Sequence, residues 1–179
     1  MGHVGMGEQE KDGSALPSQM RIIAWNCRGL GNGPAIRGLL DLQKEEAPDI
    51  LFLSETKHDG KWLDWLRWRL GLTNMVVKDS VGASGGLAVF RRKDIDLTVK
   101  SMSKYHIDMV IKEEDLFVWR FSGVYGESKS DEKEKTWDTL RSLHAALSLP
   151  WVCAGDFNEV LFANEKEGAA KIRGSNGEV

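Results

Sequence analysis

Trp151-Val152-Cys153-Ala154-Gly155-Asp156-Phe157-Asn158 is the stretch around which the rest of the chain reads. Four apolar or small residues run into a glycine, and an acid and an amide follow within three positions. The run has the length and composition of a strand buried on both faces. Gly155 lets the backbone turn sharply where that strand ends. Asp156 and Asn158 then fall at the strand's carboxyl end, where open α/β sheets place ligand sites. An Asp-x-Asn turn also has a local explanation, because both side chain types bond neighbouring backbone groups. Recurrence favours chemistry: the same design appears upstream.

Arg21-Ile22-Ile23-Ala24-Trp25-Asn26-Cys27 reads as a strand ending in a polar residue, followed by the glycine-rich loop Arg28-Gly29-Leu30-Gly31-Asn32-Gly33. That loop lacks the spacing of a Walker or dinucleotide-binding phosphate loop. Ile50-Leu51-Phe52-Leu53-Ser54-Glu55-Thr56 is a second such strand, with Glu55 at its end. Alone, Glu55 is either a functional group or the point where the strand meets water. A third instance, Arg120-Phe121-Ser122-Gly123-Val124-Tyr125-Gly126, ends on Tyr125.

Helices and antiparallel strands fill the intervals. Asn32 or Gly33 caps a helix with Pro34 at its first position, and Ile36, Leu39, Leu40 and Gln43 form one face. Residues 61–70 form a short helix with Leu63, Leu66 and Leu70 on one side. Trp62, Trp65 and Trp68, three of the seven tryptophans, line a neighbouring strip, read as core or covering ahead of a base-stacking platform. Strands are expected over 75–78, 86–91, 95–102, 106–111 and 116–124, their close succession implying antiparallel pairing. A helix over 132–147 places Trp137, Leu140, Leu143, His144 and Leu147 on one face, with His144 a half-buried structural histidine.

A length of 179 residues suits one domain with a real core. Residues 1–19 carry almost no apolar periodicity and are expected to be a disordered lead-in. The folded domain is expected over 20–168, and 169–179 reads as a polar flexible tail. With no membrane-spanning run and no signal peptide pattern, the expectation is an intracellular protein of nucleus or cytoplasm, not secreted and not bound to membrane. Cys27 and Cys153 read as small buried residues in a reducing compartment, and two Cys with four scattered His give no zinc spacing. A net charge of −3 argues against passive coating of nucleic acid, yet suits an acidic site that approaches phosphate through a divalent cation.

Asn26, Glu55, Tyr125, Asp156 and Asn158 thus share one kind of position, and their chemistry suits phosphodiester cleavage. Glu55 with Asn26 offers hard oxygens to Mg²⁺, which needs few protein ligands. Asp156 suits an attacking water, while Tyr125 and Asn158 suit non-bridging phosphate oxygens.

The arrangement resembles the exonuclease–endonuclease–phosphatase superfamily and is most similar to the endonuclease domain of plant LINE-type (non-LTR) retrotransposons. Ala24-Trp25-Asn26-Cys27-Arg28-Gly29-Leu30-Gly31 and Phe52-Leu53-Ser54-Glu55-Thr56-Lys57 carry the resemblance first. Asp79-Ser80-Val81-Gly82-Ala83-Ser84-Gly85-Gly86-Leu87-Ala88, His106-Ile107-Asp108, Gly123-Val124-Tyr125-Gly126 and Gly155-Asp156-Phe157-Asn158-Glu159 continue it in order. The resemblance implies an α/β fold, a two-layer sandwich of mixed β-sheets flanked by helices. It implies Mg²⁺ or Mn²⁺ at Glu55 and Asn26, catalytic roles for Asp156, Asn158 and Tyr125, and DNA as substrate.

One departure stands beside it. The family ends on a Ser-Asp-His motif, and none of His3, His58, His106 or His144 stands in a comparable one. The resemblance therefore implies a C-terminally truncated domain whose second layer is incomplete, with weak or no activity. A sheet face left open is expected to drive self-association or to bind a protein partner. The alternative is a catalytically inactive retrotransposon-derived protein that acts through protein–protein contacts.

Overall fold

β1 (Ile22–Asn26) and β2 (Ile50–Ser54) run parallel, with Ile22 beside Ile50 and Asn26 beside Ser54. In this computed structural model, which describes residues 20–82, 84–113 and 115–159, they are joined by α1 (Gly33–Glu46). The lead-in expected over 1–19, the domain's last residues at 160–168 and the tail at 169–179 lie outside the described residues. Asn32 caps α1 by accepting a hydrogen bond from the Ala35 amide at 2.9 Å, and Pro34 follows in the first turn. Ala47, at φ 41°, ends it ahead of Pro48.

α2 (Gly60–Leu70) links β2 to the antiparallel pair β3 (Asn74–Lys78) and β4 (Leu87–Arg91). Its cap is Asp59, whose carboxylate accepts from the Trp62 amide at 2.9 Å. The first sheet has the order β1-β2-β4-β3. β5 (Asp96–Met102), β6 (His106–Lys112) and β7 (Val118–Tyr125) form an antiparallel meander. α3 (Glu134–Ala146) then returns the chain to β8 (Trp151–Asp156), parallel to β7, giving the order β5-β6-β7-β8. Two mixed four-stranded sheets flanked by helices result, the α/β sandwich the resemblance implied.

The alternation of β2 explains the layering. Ile50 and Phe52 point toward the second sheet and pack with Leu87, Val89, Ile107, Met109, Ile111, Trp119 and Phe121. Leu51 and Leu53 point the other way and join Leu39 of α1 with Leu63, Leu66 and Leu70 of α2. Fully burying one such side chain stabilises by about 1.5–3 kcal/mol. The sheets approach closely at Gly123, where an added Cβ would overlap the Phe52 ring.

Three expectations are corrected. The 151–154 run is not buried on both faces: β8 is an edge strand, Val152 is 48% exposed, and Cys153 is only half-buried. Composition reports apolarity but not how many neighbours a strand has. His144 is exposed, its ring tilted against Trp151 at 6.0 Å between centroids. α3 buries only Thr136 and Leu143, because the sheet face beneath it is polar. The tryptophan strip also divides, Trp62 being half-buried while Trp65 and Trp68 are exposed. Among the described residues no helix is long and apolar enough to cross a membrane.

Candidate functional site

The two parallel pairs, β1 with β2 and β7 with β8, decide where chemistry gathers. Asn26, Tyr125 and Asp156 are the last residues of β1, β7 and β8, and Glu55 directly follows β2. The edge strands β1 and β8 meet at this end. There the Asn26 side-chain amide donates to Asp156 Oδ2 at 2.8 Å, across 130 residues of chain. Asn26 Oδ1 in turn accepts from the Arg28 amide at 3.0 Å, which fixes its orientation.

Asp156 Oδ1 accepts from the Asn158 amide at 2.9 Å, so the local Asp-x-Asn turn exists. It coexists with the long-range contact because each carboxylate oxygen serves a different donor. Asn158, held at φ 51°, directs one side-chain N–H to the Gly126 carbonyl at 2.7 Å. The Gly126 amide donates to the Asp156 carbonyl at 2.7 Å. Gly155 sits at φ 144°, and a Cβ there would overlap the Val124 carbonyl oxygen, so only glycine fits.

Glu55 occupies a left-handed conformation, φ 54°, that a non-glycine residue holds only when its surroundings enforce it. The enforcement is visible. Its carbonyl accepts from Gly29 at 2.7 Å, and the following amides of Thr56 and Lys57 donate to Gly86 and Gly85 at 3.1 and 3.0 Å. The β3–β4 loop thereby clamps the segment from behind. The Tyr125 hydroxyl donates to Glu55 Oε1. Burial first, and then this bond to Glu55, push the Tyr125 hydroxyl up to about 12, so it remains a donor at neutral pH. The Asn158 side chain acts in the opposite direction, and the Asp156 charge adds to the upward push. All five residues picked from the sequence lie in one cluster.

Glu55 and Asn26 present a carboxylate and a carboxamide oxygen. Among the described residues no group of three His, Cys, Asp or Glu side chains is placed to hold a metal ion. Such a pair of hard oxygens fits an ion like Mg²⁺ that keeps several waters, rather than one wanting a closed protein cage. The cysteines stand apart from this chemistry: burial pushes both thiols up to about 11, and the Cys27 thiol donates to the Ser54 carbonyl at 3.0 Å.

Sequence reasoning missed the supports. Gly126 carries both a carbonyl and an amide of the site, and a Cβ there would overlap the Phe157 carbonyl. Gly85 and Gly86 clamp the Glu55 turn. Each lay inside a motif, but nothing local says that two loops will touch.

A model of the endonuclease/exonuclease/phosphatase family matches residues 23–177. Among solved structures, D. rerio TDP2 complexed with single strand DNA product is 18% identical with a TM-score of 0.60, the match covering 80% of this chain and 62% of that one. An AP endonuclease from Archaeoglobus fulgidus is 18% identical, TM-score 0.55, with 78% and 58% covered. A mannosyl-6-phosphatase from Bacteroides thetaiotaomicron is 14% identical, TM-score 0.56, with 78% and 66% covered. The likeness is one of fold, and the chain spans less than two thirds of the length of each of these structures. No curated protein matches it.

Proposed function

This chain belongs to the endonuclease/exonuclease/phosphatase family, and from that premise we propose a divalent-metal-dependent phosphodiester hydrolase of endonuclease type acting on DNA. The observation that carries the reading is the 2.8 Å Asn26–Asp156 hydrogen bond, beside the Tyr125–Glu55 bond, at the junction of the two sheets. The similarity to DNA-handling structures supports DNA as the substrate class, as does the resemblance of the sequence motifs to plant LINE-type endonuclease domains.

Each residue takes one task. Glu55 and Asn26 would hold Mg²⁺ or Mn²⁺, which supplies charge neutralisation for the phosphate and the leaving oxygen. Asp156, oriented by Asn26 and by the Asn158 amide, takes a proton from the attacking water. Asn158 has a second side-chain N–H beyond the one bound to Gly126, and that N–H serves a non-bridging oxygen. Tyr125 serves another once its hydroxyl leaves Glu55. Of the described histidines, His106 has both ring nitrogens engaged. It is held by the Ser101 and Ser103 hydroxyls at 3.0 and 2.9 Å, and His58 is stacked on Trp62. A positioned acid is worth about 10²–10⁴ in rate, so with none assigned among the described residues slow turnover is expected.

Nicking of supercoiled plasmid with Mg²⁺ against EDTA tests the reading. The expected result is slow metal-dependent nicking, lost by at least about 100-fold in Glu55→Gln and in Asp156→Asn. Nicking that survives both substitutions overturns it. The second reading is an inactive retrotransposon-derived protein acting through self-association or a protein partner. It is favoured by one feature, the exposed Val152 on edge strand β8. No nicking, together with a concentration-dependent elution volume in size-exclusion chromatography, would replace the first reading with the second.

A further inference from the structure

His58 begins three residues after Glu55, and from it a row of planar side chains descends along the outside of α2. The His58 and Trp62 rings stack at 3.7 Å with planes 8° apart, and the Trp62 and Trp65 rings lie 5.5 Å apart. The Arg69 guanidinium lies 5.3 Å from the Trp65 ring, and that of Arg67 lies 4.8 Å from Trp68. Trp65 is 45% exposed and Trp68 is 71% exposed, so two large aromatic side chains three residues apart on the helix meet solvent. The row runs for about 15 Å, the rise of a helix of this length.

Charge selects the occupant. Of the acids of this segment, Asp64 pairs with Arg67 at 2.8 Å, and Asp59 is turned to the helix end, where it caps the Trp62 amide. Lys57, Lys61 and Arg69 are exposed, and among the described residues none of them is in an ion pair. In a chain of net charge −3, three cations with no ion pair among the described residues thus lie beside the exposed Trp65 and Trp68. Exposed rings for stacking with cations alongside for phosphates are the two elements by which single strands are held without sequence readout. A protein partner of ordinary apolar chemistry would not need the cations.

We infer that the outer face of α2 is a track for single-stranded DNA, in which bases stack on Trp65 and Trp68 while Lys57, Lys61 and Arg69 meet the phosphates. The track leads to the Glu55 end of the molecule through the 55–59 segment, which the Gly60 amide ties to Asp79 at 2.9 Å. It rests on the nuclease reading only for the fate of the strand, since binding needs no turnover. Its consequence for that reading is a substrate with an unpaired stretch beside the cleaved bond.

The test is fluorescence anisotropy of a labelled oligothymidine with the full chain in EDTA, where no cleavage occurs. The expected result is binding that weakens with salt, is tighter for the single strand than for a duplex of equal length, and falls at least tenfold in Trp65→Ala/Trp68→Ala. Trp65→Phe/Trp68→Phe should keep most of the affinity, and Lys61→Glu/Arg69→Glu should flatten the salt dependence. Unchanged affinity in the alanine pair, or equal affinity for duplex, overturns the inference. So does self-association that vanishes in the alanine pair while oligothymidine fails to bind. Tryptophan-dependent binding with no plasmid nicking would leave this inference standing and remove the nuclease reading. Nicking with binding indifferent to the tryptophans would do the reverse.

Discussion

The outer faces of the two sheets are both covered by helices, and they are built on opposite chemistry. On the first sheet Leu51, Leu53, Ala88 and Phe90 meet Leu39 of α1 and Leu63, Leu66 and Leu70 of α2, all apolar. On the second sheet the buried residues under α3 are Asp108, Arg120 and Ser122. Arg120 forks onto Asp108, Nε to Oδ1 at 2.7 Å and Nη2 to Oδ2 at 2.9 Å. Ser122 donates to Asp108 at 2.6 Å, and the Trp151 indole donates to Ser122 at 2.9 Å. Arg120 Nη1 reaches the Leu143 carbonyl in the last turn of α3 at 2.5 Å. That carbonyl has no partner within its own helix, and a cation at a helix C-terminus is favourable. α1 and α2 are thus held by area, and α3 by a guanidinium gripping its end.

The two designs should fail differently. An apolar face loses stability in proportion to the volume removed, whereas a satisfied polar network loses most when one member goes, because the others stay buried and unpaired. The largest expected effect is therefore Arg120→Ala, at about 3–5 kcal/mol in urea unfolding, since it strands the Asp108 carboxylate. Arg120→Met combined with Asp108→Leu should recover most of that loss, because a well-packed apolar pair can replace a buried ion pair. A loss under about 1 kcal/mol in the single variant would erase the distinction between the faces.

Leu66→Ala, on the apolar face, is expected to cost about 3 kcal/mol, and Leu66→Met less than about 1.5 kcal/mol. Equal losses from both would mean that shape rather than volume governs that face too.

The smallest effect is a pH dependence confined to the polar side. Burial holds the His106 imidazole below its ordinary value of 6.5, against the pull of Asp108 and with the push of Arg120. The unfolded chain then binds the proton more readily, so His106 contributes stability above about pH 6.5 that is lost as pH falls toward its folded value. Melting temperature measured from pH 8 to 5 should decline along that limb, and His106→Gln should flatten it. A decline unchanged by the substitution would assign it to other groups.

Legibility followed the same divide. Element positions came close to the observed ones wherever the signal was local. Asn32-Gly33-Pro34 announced α1, and the alternating run at 106–111 announced β6. The polar network was not legible as one. Nothing local marks the role of Arg120, because its partners come from β6 and from the carbonyl end of α3. The candidate site was legible residue by residue, since each member sits at a strand end that glycine or a change of polarity marks. Its supports, Gly85, Gly86 and Gly126, were not, for they act by touching another loop.

By itself the sequence determined which segments become strands and helices, and which polar side chains stand at strand ends. Burial periodicity and turn residues act over a few positions, so they can be read along the chain. Only the tertiary structure decided that β1 and β8 are edges lying side by side, so that Asn26 meets Asp156 and Glu55 meets Tyr125. It also decided that the apolar run of β8 is half open to solvent. A strand's neighbours come from distant parts of the chain, and no local pattern records them.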